Sequence, residues 1–241
     1  MRWFFRRGFR VLMYHKVSAT RSDPLTVSTA QLRKQLSWLK NEGFRFVTLS
    51  GVAASLRDQY PLTAESLLVT FDDAYRDTYE LALPVLHELR VPAAIFVPTA
   101  FIGKSSAWDI DARPIMDTLQ LRELAKYGVE IGLHSHRHEN YREATADQIE
   151  RDVRDSCETL LGHSLPFVPS LAYPFGGRPE GAARAQMQDT LRRAGIALGF
   201  RIGNRINRVP LIDPYEINRL DVRGDKSFTE FCRKLAWGRW W

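Results

Sequence analysis

The sequence contains only two cysteines among its 241 residues, Cys157 and Cys232, and neither belongs to a CxxC pair. This scarcity argues against a disulfide framework and a thiolate metal site, and it fits a reducing compartment. No run approaches the ~20 consecutive apolar residues of a membrane-spanning helix. The first ten residues, MRWFFRRGFR, also lack the apolar centre of a signal peptide. From these absences we expect a soluble, cytoplasmic protein.

Acidic residues are in moderate deficit, so the net charge is +6 and the isoelectric point is about 9.5. The Lys and Arg residues are spread along the chain and no nucleic-acid-binding motif is present, so we expect no nucleic-acid partner. The terminal segments 1–9 and 232–241 mix basic residues with Trp and Phe, as membrane-interface segments do. Two hypotheses stay open for them: peripheral contact with the inner membrane surface, or aromatic packing over the ends of the fold.

The organisation of the chain predicts one α/β domain spanning residues 1–241. A hydrophobic fraction of 44% is enough for one sizeable core. Short apolar runs alternate with stretches of helical periodicity, which is the pattern of βα units around a parallel sheet. About eight parallel strands are predicted: Arg10 to Tyr14, Arg45 to Leu49, Ser66 to Phe71, Ala93 to Pro98, Val129 to Leu133, Ser170 to Tyr173, Ile196 to Phe200 and Ile217 to Val222.

Helices are predicted between these strands. Thr145 with Gln148 and Ser227 with Glu230 form capping-box patterns, and the first of these helices is expected to end near Gly162. Apolar residues at three- and four-residue spacing predict the others. These are Thr29 to Asn41, Gly51 to Gln59, Thr78 to Leu89, Leu119 to Tyr127 and Ala182 to Ala194.

Polar residues fall where predicted strands end. His15 follows the first strand, Asp72 and Asp73 follow the third, and histidines at positions 134, 136 and 138 follow the fifth. The segment YPFG at 173–176 ends the sixth strand. Sites in barrels form at the carboxyl ends of the strands. If the strands are parallel and close into a barrel, all four groups converge on one rim.

Asp72 and Asp73 place two carboxylates side by side after a buried strand. A single Asp at this point would be explained as a helix N-cap. Two adjacent anions repel each other, and the repulsion is relieved when one binds a metal and the other, held nearby, accepts protons. The pair therefore favours a metal site with a neighbouring base.

The segment HSHRH at 134–138 supplies further candidate ligands. Neutral imidazole is the commonest metal ligand, although a lone histidine is more often a surface or core residue. A turn between His134 and His138 can direct both rings to one point, and the Ser135 hydroxyl can brace that turn. Two imidazoles and the Asp73 carboxylate leave positions open for water and substrate, as in hydrolytic sites.

Three motifs together resemble one known family: TFDD at 70–73, HSHRH as H-[ST]-x-x-H at 134–138, and YPFG at 173–176. In order and spacing they resemble the polysaccharide deacetylases, the NodB-homology carbohydrate esterases of family 4 type. The resemblance runs from about Val11 to Val222. It implies a single-domain deformed (β/α) barrel that removes N-acetyl groups from amino sugars with Zn²⁺, or with Co²⁺, Ni²⁺ or Fe²⁺ in its place.

The resemblance also implies roles for individual residues. Asp72 corresponds to the general base, and Asp73 corresponds to a metal ligand together with His134 and His138. His136 occupies a variable position. In the implied reaction Asp72 takes a proton from water, and the resulting hydroxide attacks the acetamide carbonyl.

Substrate contacts are expected from the third motif and from one loop. Tyr173 and Pro174 begin the motif, and the backbone amide of Phe175 is expected to stabilise the tetrahedral oxyanion. Trp108 and Asp109 could provide a stacking platform and a hydroxyl acceptor for a sugar. The alternative for Trp108 is simple packing, because aromatic residues in long loops often serve that role.

The sequence departs from the family pattern twice. Most members carry Arg two places before the motif proline, where this chain has Ala172. Arg219 is the candidate replacement that orients the base, and a solvent-facing Arg219 is the alternative.

The second departure is that no histidine follows His163, so the usual carboxyl-terminal acid is absent. We expect His15 to be the acid, because the first and last strands of a closed barrel are neighbours. Here the chain resembles a branch of the family, including deacetylases of poly-N-acetylglucosamine, with an amino-terminal motif of this kind (Tyr14-His15). The alternative is that Tyr14 and His15 merely cap the strand.

The predicted function is that of a metal-dependent hydrolase that removes N-acetyl groups from an amino sugar in a glycan or glycoconjugate. A non-catalytic carbohydrate-binding barrel is the alternative from another class, and Ala172 lends it some support. Within the enzyme class, related members act on lipid-linked sugars, formamido groups and acetyl esters. The sequence does not choose among these substrates.

Overall fold

Ten β-strands form in the part of the chain that the computed structural model describes, residues 5–57 and 61–239. They are β1 (Arg10–Tyr14), β2 (Lys16–Ser18), β3 (Thr26–Ser28), β4 (Arg45–Phe46), β5 (Ser66–Phe71), β6 (Ala93–Val97), β7 (Val129–Leu133), β8 (Ser170–Ala172), β9 (Leu198–Ile202) and β10 (Ile217–Asp221).

Seven of these strands close into a ring. They run parallel in the order β1, β10, β9, β8, β7, β6 and β5, and β5 pairs again with β1. β4 adds to β5 outside the ring, and β2 pairs with β3 in a separate two-stranded sheet. The predicted barrel of parallel strands is confirmed.

Seven α-helices are present in the described residues. They are α1 (Thr29–Asn41), α2 (Leu49–Ser55), α3 (Leu83–Leu89), α4 (Thr118–Glu123), α5 (Ala146–Gly162), α6 (Gly181–Arg193) and α7 (Phe228–Trp237). A π-helical turn, Thr78–Ala82, leads into α3, and a 3-10 turn, Leu124–Tyr127, continues α4. Short 3-10 turns also occur at Thr99–Phe101, Tyr141–Glu143 and Pro174–Gly176.

The helix starts follow the capping patterns. Thr145 caps α5 in a complete capping box with Gln148, and Ser227 caps α7 in the same way with Glu230. Each box satisfies amide groups that have no acceptor inside the helix. Both predicted helix starts are confirmed.

The predicted boundaries differ from the structure in a few places. The strand predicted at Arg45 to Leu49 ends at Phe46, because the Thr48 hydroxyl accepts from the Gly51 amide and starts α2. β9 begins at Leu198 instead of Ile196. The short strands β2 and β3 were not predicted, since three residues are too few to show a period. The predicted end of the second helix, Gln59, lies outside the described residues.

Alternate residues of the ring strands face opposite sides of the sheet. On β5, Leu67 and Val69 belong to a large outer apolar cluster with the surrounding helices, whereas Leu68 belongs to an inner cluster. Ring residues of the inner cluster are Val11, Leu68, Ala94, Phe96, Ala172, Leu198, Phe200 and Ile217. Thr70 and Arg219 continue the inward positions of their strands, so polar side chains follow this apolar layer towards the carboxyl ends.

The described parts of the two termini pack against the barrel. Phe5 contacts the rings of Trp38 and Phe44, and the Arg6 amide donates to the Ala236 carbonyl at 3.2 Å. Of the terminal segments 1–9 and 232–241, residues 1–4, 240 and 241 lie outside the described residues. Within the described ranges, no helix combines the length and apolar character that crossing a membrane requires.

Arg10 ties these ends together from a fully buried position. Its guanidinium donates to four backbone carbonyls, those of Arg6, Gly8, Ala64 and Leu235. The rings of Phe5 and Phe44 lie 5.7 and 5.3 Å from its central carbon. Burial lowers the pKa of Arg10 to about 10, so the side chain remains charged at neutral pH.

We predict that Arg10→Ala lowers the free energy of unfolding by about 3 kcal/mol or more, because it leaves a cavity and carbonyls without donors. Chemical denaturation followed by circular dichroism measures the change. Arg233→Ala, at an exposed position of α7, is the control and should change stability by less than about 0.5 kcal/mol. Equal stability of the two variants would contradict a structural role for Arg10.

Candidate active site

The carboxyl ends of three ring strands deliver polar side chains to one pocket. His15 directly follows β1, Asp72 and Asp73 directly follow β5, and His134 directly follows β7 with His138 four residues later. All five line a pocket of about 360 Å³. The predicted convergence of these three groups on one rim is confirmed.

Asp73, His134 and His138 form a buried cluster whose ligand atoms all lie within 4.8 Å of one another. The Asp73 Oδ1 atom lies 3.1 Å from His138 Nε2 and 3.4 Å from His134 Nε2. Among the described residues, this buried oxygen has no hydrogen-bond partner of adequate geometry. A carboxylate oxygen and two imidazole nitrogens facing one point fit a divalent cation, which would satisfy that oxygen and leave coordination positions open.

The two histidines are held in different ways. His134 Nδ1 lies 2.8 Å from the Ala172 carbonyl oxygen, an arrangement that fixes the ring and leaves Nε2 as the ligand atom. His138 Nδ1 is buried and has no hydrogen-bond partner among the described residues. The buried Ser135 hydroxyl accepts from the Glu139 amide at 3.0 Å, as predicted for the turn between the histidines.

Asp72 forms a buried, two-point ion pair with Arg219 of β10. Arg219 Nη1 and Nη2 donate to Asp72 Oδ1 and Oδ2 at 2.6 and 2.7 Å. The Arg219 side chain is fully buried and lies over the Phe96 ring, so the solvent-facing alternative is wrong. Burial acts to raise the pKa of Asp72, but the Arg219 guanidinium together with the nearby His134 and His15 imidazoles outweighs it, and the pKa lies below its ordinary value.

Burial also acts to raise the pKa of Asp73. The neighbouring imidazoles of His134 and His138 outweigh it and hold the pKa of Asp73 well below its ordinary value. Both carboxylates are therefore ionised at neutral pH, although they are adjacent in sequence. Each has its own cationic or imidazole partner, which relieves the repulsion inferred from the sequence.

His15 lies on the side of Asp72 that faces the pocket. Its Nε2 is 3.9 Å from Asp72 Oδ2, and 17% of its side chain is exposed. β1 and β10 are neighbours in the ring, as expected for the first and last strands. Tyr14 points to the other side, where its hydroxyl donates to Gln35 at 2.9 Å.

Backbone strain is concentrated in the segments of the site. Eight non-glycine residues of the described ranges have a positive φ, and five belong to these segments: Asp73, Ala74, Ser135, His138 and Phe175, with φ between 53° and 70°. Left-handed conformations cost non-glycine residues roughly 1–3 kcal/mol each and persist only where the surroundings impose them. The folded barrel therefore holds these side chains in positions that the free chain avoids.

The YPFG segment contributes to the pocket through Phe175, which is 60% exposed. The Tyr173 side chain is fully buried and donates to the Tyr215 carbonyl at 2.9 Å, outside the pocket lining. The expected contact of the Tyr173 side chain with substrate is therefore wrong, because the strand alternation turns it towards the outer cluster. Pro174 is also buried. No acceptor for the Phe175 amide occurs among the described residues, whereas the Gly176 amide donates to the Tyr173 carbonyl.

Trp108 lines the pocket with one face against a candidate ligand. Its ring stacks on His138 at a centroid distance of 4.0 Å and an interplanar angle of 24°. Asp109 accepts from Lys16 at one oxygen and from Tyr75 and Ser106 at the other. The expected sugar platform is thus limited, since one indole face and both Asp109 oxygens already have protein partners.

Tyr75, Lys16 and Ser106 were missed by sequence reasoning. Tyr75 follows the aspartate pair by two residues, a spacing that carries no signal of its own. Lys16 and Tyr75 meet Asp109 only in the folded protein, and the nearby Ser106 joins them at the same carboxylate. His136, the variable histidine, lies 2.9 Å from the Thr99 hydroxyl and outside the pocket lining.

Comparison with known proteins shows similarity to polysaccharide deacetylases in sequence and in fold. A family model described as Polysaccharide deacetylase matches residues 59–202. The chain is 28% identical over 175 residues to YxkH of Bacillus subtilis (strain 168), which is named as a candidate polysaccharide deacetylase. The aligned region covers 73% of this chain but only 59% of YxkH. It is 25% identical over 210 residues to the poly-beta-1,6-N-acetyl-D-glucosamine N-deacetylase of Staphylococcus aureus (strain MRSA252), covering 83% and 69% of the two chains.

Among solved structures, IcaB from Ammonifex degensii superimposes with a TM-score of 0.79 at 23% identity, covering 98% of this chain and 99% of that one. At this identity the likeness concerns the fold alone. The family match covers more than half of the chain and includes Asp72, Asp73, His134 and His138, although His15 and Arg219 lie outside it. The chain therefore belongs to the polysaccharide deacetylase family.

Proposed function

We propose that this protein is a metal-dependent hydrolase that removes N-acetyl groups from an amino sugar in a glycan or glycoconjugate. The observation that carries the proposal is the arrangement of two adjacent carboxylates with separate partners at one pocket. Asp73 faces the two histidines, while Asp72 is held by Arg219 with one oxygen towards His15. One group thus suits ion binding and the other suits proton transfer.

Asp73, His134 and His138 would hold the divalent ion, with Zn²⁺ the first candidate for two imidazoles and one carboxylate. An ion bound there supplies Lewis acidity that polarises a carbonyl and activates water. Burial of the three ligands keeps bulk water from competing for them. The fixed His134 ring favours a preformed site over one that assembles around the ion.

Asp72 acts as the general base in this proposal. Its ionised state at neutral pH allows it to accept a proton from the attacking water. Arg219 occupies part of the capacity of both oxygens, but a carboxylate oxygen can accept more than one hydrogen bond. The two-point contact fixes the plane of the carboxylate, so Oδ2 keeps a constant direction towards the pocket.

His15 acts as the general acid that gives a proton to the departing amine. It lines the pocket beside Asp72 and is partly exposed, which suits a group that must meet substrate and recover its proton from water. The Phe175 amide is proposed to stabilise the oxyanion, since the described structure offers it no acceptor.

An N-acetylated glycan fits the opening of the pocket. Phe175 and Leu25 are exposed apolar side chains that line it, and they suit the apolar face of a sugar ring. The Staphylococcus aureus relative is named for a β-1,6-linked N-acetylglucosamine polymer, so oligomers of this class are the first substrates to test. The support that Ala172 lent to a non-catalytic barrel is weakened, because Arg219 supplies the cation beside Asp72.

We predict that the protein releases acetate from a β-1,6- or β-1,4-linked N-acetylglucosamine oligomer and that chelation abolishes this activity. Asp72→Asn should lower turnover by about 10²–10⁴-fold, because the amide cannot accept the proton. Acetate release measures both effects, and Asp111→Asn, at an exposed position outside the pocket, is the matched control. Formamido and O-acetyl sugars in the same panel identify a deformylase or an esterase. Full turnover by Asp72→Asn would disprove the assignment of the base.

We predict that His15→Gln lowers kcat by roughly 10²-fold, because the leaving amine loses its proton donor. The bound metal content should stay at the wild-type value, since His15 is not among the candidate ligands. Elemental analysis and steady-state kinetics separate the two effects. His163→Gln, at an exposed position, should leave kcat unchanged. An unchanged kcat in His15→Gln would assign the acid to another group.

We predict that Arg219→Lys lowers kcat roughly 10- to 100-fold with little change in KM, because an ammonium cannot hold both carboxylate oxygens in one plane. Arg219 is not in the pocket lining, so substrate contacts remain. Steady-state kinetics on the oligomer that wild type cleaves tests this, with Arg151→Lys on the exposed face of α5 as the control. A change confined to KM would contradict a role through Asp72.

A further inference from the structure

His138 differs from most metal-binding histidines in how its ring is held. Such rings usually donate their second N–H to a carbonyl or carboxylate, which fixes the orientation of the ligand nitrogen. His134 follows this pattern through the Ala172 carbonyl. His138 Nδ1 is buried and has no partner among the described residues, yet its Nε2 lies 3.1 Å from Asp73 Oδ1. Among the described residues, therefore, no hydrogen bond at Nδ1 orients this ring.

Two aromatic rings enclose His138. Trp108 stacks on one face at 4.0 Å between centroids, and Phe175 meets the ring at 4.7 Å with an interplanar angle of 67°. Phe175 has a positive φ, and its side chain is 60% exposed. Its ring is therefore less constrained by neighbours than the ring of Trp108. The stacked indole covers most of one imidazole face and restricts rotation of the ring. Trp108 is therefore the main constraint on the direction of His138 Nε2.

The plane of Trp108 is itself fixed by a chain of hydrogen bonds. Trp108 Nε1 donates to the Tyr75 hydroxyl at 3.1 Å, and that hydroxyl donates to Asp109 Oδ2 at 2.7 Å. Asp109 also accepts from Ser106 at 2.8 Å and, at Oδ1, from Lys16 at 2.7 Å. A charged acceptor with three donors is stronger and more directional than a neutral one.

The edge of Trp108 is supported from another side. Phe101 meets the indole at 5.0 Å with an interplanar angle of 88°. Lys16 Nζ lies 4.9 Å from the centre of the Tyr75 ring. The lysine therefore contacts both Asp109 and the aromatic ring of Tyr75. The indole cannot tilt without breaking its bond to Tyr75 or losing these contacts. A rigid frame thus stands behind the stacked face.

We propose that Trp108 is a positioning residue for metal binding, which aims His138 at the ion by stacking, and that Asp109 holds Trp108 in place through Tyr75. The proposal rests on the metal site of the proposed function. It assigns to an aromatic plane the orienting role that a hydrogen bond has for His134. It also explains why one face of Trp108 is closed to substrate.

The test measures Zn²⁺ affinity of the full-length, metal-depleted protein by competition with a chromophoric chelator. Trp108→Leu should raise the dissociation constant roughly 10- to 100-fold, the usual effect of losing an orienting partner. Trp108→Phe keeps a stacking face and should stay within about threefold of wild type. Trp237→Leu, a half-exposed position on α7 outside the pocket, is the control.

Asp109→Asn provides a second, milder variant that keeps the size of the side chain. It should raise the dissociation constant severalfold, because the acceptor loses its charge, whereas Asp111→Asn on the same loop should have no effect. In the Co²⁺-substituted protein, Trp108→Leu should alter the visible absorption bands, which report ligand geometry. A role in folding alone would lower the melting temperature and leave affinity and spectrum unchanged.

The outcomes separate this inference from the proposed function. If the wild-type chain binds no Zn²⁺, the metal site fails and both proposals fall. If wild type binds Zn²⁺ and Trp108→Leu binds it equally well with the same Co²⁺ spectrum, only the positioning role is overturned. Weak binding by Trp108→Leu that Trp108→Phe does not share supports the stack as the cause.

Discussion

The buried contact between Arg219 and Asp72 is the interaction on which the rest of the site depends. β1 lies between β10 and β5 in the ring, so the contact reaches past a whole strand. It forms only when the ring is closed and the register is correct. Both charges are withdrawn from water, and the cost of this is offset by two direct hydrogen bonds in one plane. With the charge of Asp72 compensated by Arg219, the adjacent Asp73 carboxylate faces the two histidines.

Sequence reasoning located the pocket because the relevant signals are local. The strand before Asp72 and Asp73 is buried along its whole length and mostly apolar, and the carboxyl end of such a strand is where parallel strands expose polar groups. The same argument placed His15 and His134 correctly. It failed for Tyr173, because the direction of a side chain at a strand end depends on the register, which the motif alone does not give. The contacts around Trp108 could not be predicted, since the residues that make them come from three distant segments, at Lys16, Tyr75 and Phe101 to Asp109.

Ala172, which departs from the family motif, is accompanied by a buried cation that comes from another strand. Ala172 belongs to the apolar layer inside the ring, where a long cation would otherwise enter from β8. Here the guanidinium enters from β10 and rests over Phe96. The carbonyl of Ala172 keeps its own task as the partner of His134. The small side chain and the distant arginine thus belong to one buried arrangement, although Ala172 lies inside the family match to residues 59–202 and Arg219 lies outside it.

The position of β10 has a consequence for the order in which the molecule matures during synthesis. Asp73 and both histidines are synthesised before residue 217, so the three candidate ligands exist on a chain whose ring cannot yet close. A nascent or truncated chain of that length would carry candidate ligands while Asp72 lacks its counter-charge. The candidate ligands and the counter-charge of Asp72 are thus supplied at different stages of synthesis, and β10 supplies the second.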